Sequence, residues 1–289
     1  MVGVYFESWA CPWTDKAEEC ALAKIDKPID VVFLSFVHPD CKYKKSQGTW
    51  AGTGLDFSVD FQVIRQAIQI LKKKGIKVLL AVGGASYGFD VFNHKSVAEL
   101  MYDLELDGID IDWEPVEGVA DAAKFGPILE QAKQYCVSGQ LLTAAVFGYG
   151  ALPPQQGDLY RGVNLEGLKS HGHLLDMISI MAYDGGKEFD VIKSYTSYQQ
   201  FKRKILLGFQ VGTQGWGDAY LSLDDVKHIC SHIQPFGDGC FVWAFFKSGK
   251  PTCLEVVTTA SQILDVDHPP KPEKSFDCPH CENKVFISK

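Results

Sequence analysis

DGIDIDWE, residues 107–114, is the stretch whose reading decides the fold. Asp107, Asp110, Asp112 and Glu114 are interleaved there with Ile109, Ile111 and Trp113, and Pro115 follows at once. A solvated acidic face does not place large apolar side chains between its charges. In an extended strand, successive side chains point to opposite sides. Asp110, Asp112 and Glu114 therefore share one face, about 6.6 Å apart along the chain, and Ile109, Ile111 and Trp113 share the other. The apolar face calls for a cover of helices, and the acidic face then points into a closed interior.

Working outward, seven more short apolar, β-branched runs appear. They are 2–6, 31–37, 77–83, 141–147, 176–183, 204–210 and 240–246, with 108–113 as the fourth in order. Helical periodicity falls between them: Phe61, Ile64, Ile68 and Leu71 end in the basic Lys72–Lys74 and Gly75, a helix stop. Val97, Leu100, Met101 and Leu104 repeat the pattern, as do Val226, Ile229 and Ile233. Strands alternating with helices give a parallel sheet, and eight of them at this length give a (β/α)8 TIM barrel. An open doubly wound sheet is the rival; no G-x-G-x-x-G follows the first strand, which favours the barrel. One α/β domain is expected over residues 1–264. The proline-rich DVDHPPKPEK (265–274) and SFDCPHCENKVFISK then form a tail over 265–289.

The chain has 289 residues, 46% of them hydrophobic, enough for one large core. A net charge of −8 argues against nucleic acid or an anionic membrane as partner, and no apolar run reaches the roughly 20 residues of a membrane span. MVGVYFESWA reads as a strand and not as a signal peptide. Nine cysteines over this length are no small disulfide framework. Local pairs, Cys11 with Cys20 or Cys230 with Cys240, stay open.

Three carboxylates on one interior face cannot all be charged cheaply. Like charges raise one another's proton affinity, so the group titrates as a unit. Glu114, at the C-terminal mouth of its strand, is suited to donate a proton near neutral pH. D-x-D-x-E could also hold a divalent cation, but no convincing set of further ligands stands at neighbouring strand ends. A purely structural acidic cluster is disfavoured by the cost of burial.

DGIDIDWE resembles the D-x-x-D-x-D-x-E signature of glycoside hydrolase family eighteen, the chitinases and chitinase-like proteins. YFESW (5–9), AVGG (81–84), MAYD (181–184) and Trp243 resemble the family's motifs on the first, third, sixth and eighth strands. The resemblance covers about residues 2–250 and implies a hydrolase of β-1,4-linked N-acetylglucosamine polymers that needs no cofactor. It assigns Glu114 as general acid and base and Asp112 as the group that orients the substrate's 2-acetamido arm. Asp110 would share a proton with Asp112, Tyr183 would bond the acetamido group, and Asp184 would touch the distorted sugar. The family is an exception to the two-carboxylate retaining scheme, because the substrate's own acetamido oxygen attacks the anomeric carbon. Trp243 would floor the sugar site, with Tyr5, Phe36, Gly84, Met181 and Gln210 as further sugar contacts. Secretion is what the resemblance implies.

Sugars are held by flat aromatic faces and a few orienting polar groups, and Trp9, Trp13, Phe36, Phe147, Tyr149, Tyr183, Trp216 and Trp243 all fall at or just past strand ends. Two departures stand out. Ala81 replaces the motif's serine, which removes a hydroxyl expected near Asp107 and Asp110. The segment 211–239 is too short for the small α+β insertion of many chitinases, which leaves an open cleft suited to endo cleavage. The rivals are a non-catalytic carbohydrate-binding relative and an endo-β-N-acetylglucosaminidase acting on N-glycans. In the tail, Cys278 and Cys281 form a C-x-x-C knuckle that lacks the second pair a structural zinc site needs. His171 and His173 precede the sixth strand, where stability is the default role.

Overall fold

Each of the eight apolar runs is a strand in the computed structural model, which describes residues 1–213 and 221–265. They are β1 (Val2–Glu7), β2 (Val31–Val37), β3 (Lys77–Gly83), β4 (Gly108–Asp112), β5 (Leu141–Phe147), β6 (Met177–Met181), β7 (Lys204–Gln210) and β8 (Gly239–Trp243). All pair in parallel and in chain order, and β1 closes on β8. The runs at β6 and β8 are shorter as strands than their apolar stretches. Past Trp243, Phe245 and Phe246 stay apolar because their rings pack on Phe6, not because they continue the ladder. β4 likewise stops at Asp112, so Glu114 sits two residues beyond the strand.

Around the barrel lie α1 (Phe61–Lys73), α2 (His94–Asp103), α3 (Phe125–Lys133), α4 (Leu165–His171), α5 (Val191–Tyr198), α6 (Leu223–Ile233) and α7 (Cys253–Leu264). α1 buries Phe61, Ile64, Ile68 and Leu71, the stripe its spacing sets, and Asp60 caps it by accepting from Gln62 N–H. Between β1 and β2 the described residues hold 3-10 turns, Ser8–Ala10 and Ala17–Glu19, in place of a helix. Pro12 and the lack of a three-to-four period explain this. Cys20, Leu22, Ile25 and Ile29 cover the sheet there instead. Between β7 and β8 the described residues hold α6 and a 3-10 turn, Gln234–Phe236.

The sheet divides the apolar residues into two sets. Ile109, Ile111 and Trp113 join the large core under the helices, where Trp113 stacks on Phe125 of α3 at 5.3 Å. Tyr5, Phe33, Leu79, Ala81, Met177, Leu206 and Phe241 fill the interior.

The bottom of the barrel is fastened by a repeated device. Asp30, Asp107, Asp176 and Asp238 each stand one residue before an even-numbered strand. Each accepts a backbone N–H from the preceding odd-numbered strand: Val2, Val78, Leu142 and Ile205, at 2.8–3.0 Å. Asp107 is thus a bottom-face fastener. The hydroxyl expected near both Asp107 and Asp110 has no such shared place, because the two aspartates stand at different levels of β4.

Candidate active site

The acidic face of β4 points into the barrel, as the alternation requires. Asp110 and Asp112 are buried, and Glu114 is half-buried above them at the C-terminal mouth. The end of β3 is shaped to let this strand pass. Gly83 has φ +107, and a Cβ there would lie 2.1 Å from the Asp112 carbonyl oxygen. Gly84 has φ +85, donates its N–H to that oxygen at 2.8 Å, and lies so close under Phe36 that a Cβ would meet the ring at 3.1 Å. Only glycine fits either position without strain.

Asp110 is fully engaged. Its Oδ2 accepts from the Tyr5 hydroxyl at 2.7 Å and its Oδ1 from the Thr143 hydroxyl of β5 at 2.5 Å. Burial raises its proton affinity, these two donors oppose the rise, and the carboxyl ends at about 6. Asp112 is raised well above the usual carboxylate range by burial first, then by Glu114 and Asp110. Its Oδ1 is buried and meets no hydrogen-bond donor among the described residues. Burial lifts Glu114 to about 7. Tyr183 and Tyr5 are raised well above the phenol range, mainly by burial with the aspartates adding to it. At neutral pH Glu114 is thus partly protonated at the mouth, over a pair in which Asp112 holds its proton more tightly than Asp110.

Asp112, Glu114, Tyr183, Asp184, Trp243, Tyr5, Phe36, Met181 and Gln210 all line one cavity of about 420 Å³. Asp110 lies beneath it and Gly84 behind Phe36. Trp243 meets Tyr5 edge-on at 5.9 Å and Phe36 at 5.6 Å, which makes an aromatic floor. Trp9 extends it by stacking on Phe36 at 6.3 Å. Gln210 Nε2 donates to Asp184 Oδ1 at 3.0 Å and to the Thr213 carbonyl at 3.1 Å, so its amide nitrogen holds Asp184 in place. A second cavity of about 340 Å³ shares Glu114, Met181, Tyr183 and Asp184 with the first. Phe147, Tyr149, Tyr160, Arg161 and Phe189 line its far side.

Trp13 is 69% exposed and lines neither cavity. Trp216, Cys278 and Cys281 lie outside the described residues. Among the described residues, no three His, Cys, Asp or Glu side chains are grouped to hold a metal ion. Cys11 and Cys20 are free thiols with sulfurs 4.0 Å apart, and Cys230 and Cys240 are free as well. Sequence reading passed over Thr143, Tyr87 and Ser86. The signal for Thr143 was there, since it is the lone polar residue of LLTAAVF, in register with Asp110.

A closed parallel barrel with buried carboxylates and an aromatic floor at its C-terminal mouth defines a carbohydrate-active TIM barrel. The chain belongs to Glycosyl hydrolases family 18, whose model matches residues 1–261. The fold is shared with solved structures of low identity. A GH18 chitinase from Pseudoalteromonas aurantia is 18% identical at a TM-score of 0.62, over 91% of this chain and 99% of that one. A GH18 chitinase from Cycas revoluta in complex with (GlcNAc)3 is 13% identical at 0.64, over 91% and 99%. A chitinase-like agglutinin from Robinia pseudoacacia is 15% identical at 0.61, again over 91% and 99%.

Proposed function

We propose that the protein hydrolyses β-1,4-linked N-acetylglucosamine polymers, chitin or its oligosaccharides, by a retaining, substrate-assisted route with cuts inside the chain. The observation that carries this reading is Asp112: buried, raised in proton affinity, with an unpartnered oxygen beside Glu114 in the aromatic-floored cavity. A buried polar atom without a partner is costly, and an acetamido N–H is a partner that fits it.

Glu114 gives its proton to the glycosidic oxygen as the bond from that oxygen to C1 breaks. The acetamido arm is held through its N–H on Asp112 and by Tyr183, and its carbonyl oxygen attacks C1 from the other face. Water, deprotonated by the now anionic Glu114, then opens the cyclic intermediate at C1. Two inversions leave the configuration retained. Asp110 holds the pair's remaining proton balance, Trp243 floors the reacting sugar, and Asp184, Tyr5, Phe36 and Met181 shape its surroundings. The two cavities meet at Glu114, which suits a cut with sugars on both sides.

The test is proton NMR of the first products from the N-acetylglucosamine tetramer, beside its fully deacetylated counterpart. The reading expects β-anomeric product from the first and no cleavage of the second. Equal cleavage of both overturns the substrate-assisted route. The second reading is a carbohydrate-binding protein without activity, and a chitinase-like agglutinin shares the fold; binding of both oligomers without cleavage would favour it.

A further inference from the structure

We propose that Thr143 is a positioning residue for the carboxylate pair, supplying from β5 the hydrogen bond to Asp110 that Ala81 on β3 cannot give. The role in catalysis rests on the hydrolase reading above; the contact itself does not.

The geometry is that of three adjacent strands. Asp110 is in register with Ala81 on one side and with Thr143 on the other. Neighbouring strands lie about 4.7–4.9 Å apart, so a side chain at either position can touch the carboxylate. Ala81 is buried in the interior and brings only a methyl group. Thr143 is buried too, and its hydroxyl reaches Asp110 Oδ1 at 2.5 Å. The other oxygen is taken by Tyr5. Moving the hydroxyl from one flank to the other keeps Asp110 with a donor on each oxygen.

That matters because of what faces the group. Tyr5 comes from β1, Asp112 from the end of Asp110's own strand, Glu114 from two residues past that end, and Tyr183 from past β6. Among the described residues, no lysine, arginine or histidine lines the first cavity above it, and Arg161 stands on the far side of the second. With no cation among the described residues of that cavity, the hydroxyl donors bias which aspartate keeps the anion. Two donors fix it on Asp110, and the shared proton then sits toward Asp112, where it faces the substrate. Removing Thr143's donor moves the proton down to Asp110 and leaves Asp112 charged next to Glu114.

The experiment follows the carboxyl carbons by 13C NMR through a pH titration, alongside kcat and KM on an N-acetylglucosamine oligomer. The proteins are the full chain, T143V, T143S, T143V/A81S and A81S alone. T143V is expected to raise the Asp110 titration by about one pH unit and to lower kcat about tenfold, with KM within about twofold. T143S should match the parent, and A81S should restore both readouts in the T143V background. A81S alone adds a third donor and should lower the Asp110 titration, an arm that holds even where T143V does not fold. A parent that cuts no oligomer while these titrations still move as stated sinks the hydrolase reading and leaves the Thr143–Asp110 coupling standing. Titrations unmoved by either T143V or A81S overturn the proposal, whatever the activity.

Discussion

Glu114 titrates at about 7 because it is desolvated, not because of any single partner. As the proposed proton donor it must be protonated, so kcat/KM should fall as pH rises through about 7. On the acid side activity should fall once the aspartate pair takes its second proton, which Asp110 at about 6 sets. The three groups are coupled, so the limbs belong to the cluster as a whole. A pH profile of kcat/KM on a chromogenic oligomer reads both limbs; a flat profile between about pH 6 and 8 contradicts the assignment. The same burial has a stability consequence. The ordinary glutamate value is 4.5 and the folded value about 7, so the fold favours the protonated form. The stability it lends is fully present below 4.5 and is lost as pH rises through about 7. Glu114→Gln should therefore stabilise the protein at pH 8 by about 1–3 kcal/mol and change little at pH 4, read by urea unfolding. At this scale the sequence was informative where a motif repeats a known pattern and silent where one residue substitutes for another across strands. Ala81 read as a lost hydroxyl, and only the register of β3, β4 and β5 shows Thr143 on the opposite flank.

The strands were legible because parallel strands buried on both faces read as near-continuous apolar runs. Their ends were not, since a run that continues past its last ladder bond looks the same in sequence. α1, α2 and α6 showed their stripes; α3, α4 and α5 span nine, seven and eight residues and offer too few turns for a period to stand out. The four bottom-face aspartates were invisible singly, because each is one acidic residue before a strand. Together they predict that Asp238→Ala, which frees the Ile205 N–H and the Tyr195 hydroxyl it now accepts from, costs about 1–3 kcal/mol. Thermal unfolding should record that loss, while KM for an oligomer stays unchanged. A similar drop is not expected from Asp224→Ala, whose exposed partner is Lys227. At the start of α7, Thr252 and Glu255 bond reciprocally as a capping box, so Thr252→Ala should cost about 1 kcal/mol.

For the molecule as a whole, two cavities of about 420 and 340 Å³ share Glu114 and Asp184, and that arrangement separates this chain from a one-ended pocket. A net charge of −8 neither draws nor repels a neutral sugar chain. Cleavage of neutral oligomers should therefore vary less than about twofold between low and high salt. The central claim is that Glu114, over the buried aspartate pair, cuts N-acetylglucosamine chains from within. The measurement that tests it most directly is mass-spectrometric product analysis of the N-acetylglucosamine hexamer, with Glu114→Gln run in parallel. The account predicts a mixture of dimers, trimers and tetramers from the parent, with a rate about 10²–10⁴-fold lower for the variant. A parent that binds the hexamer and leaves it whole, or a variant that cuts as fast as the parent, would contradict it.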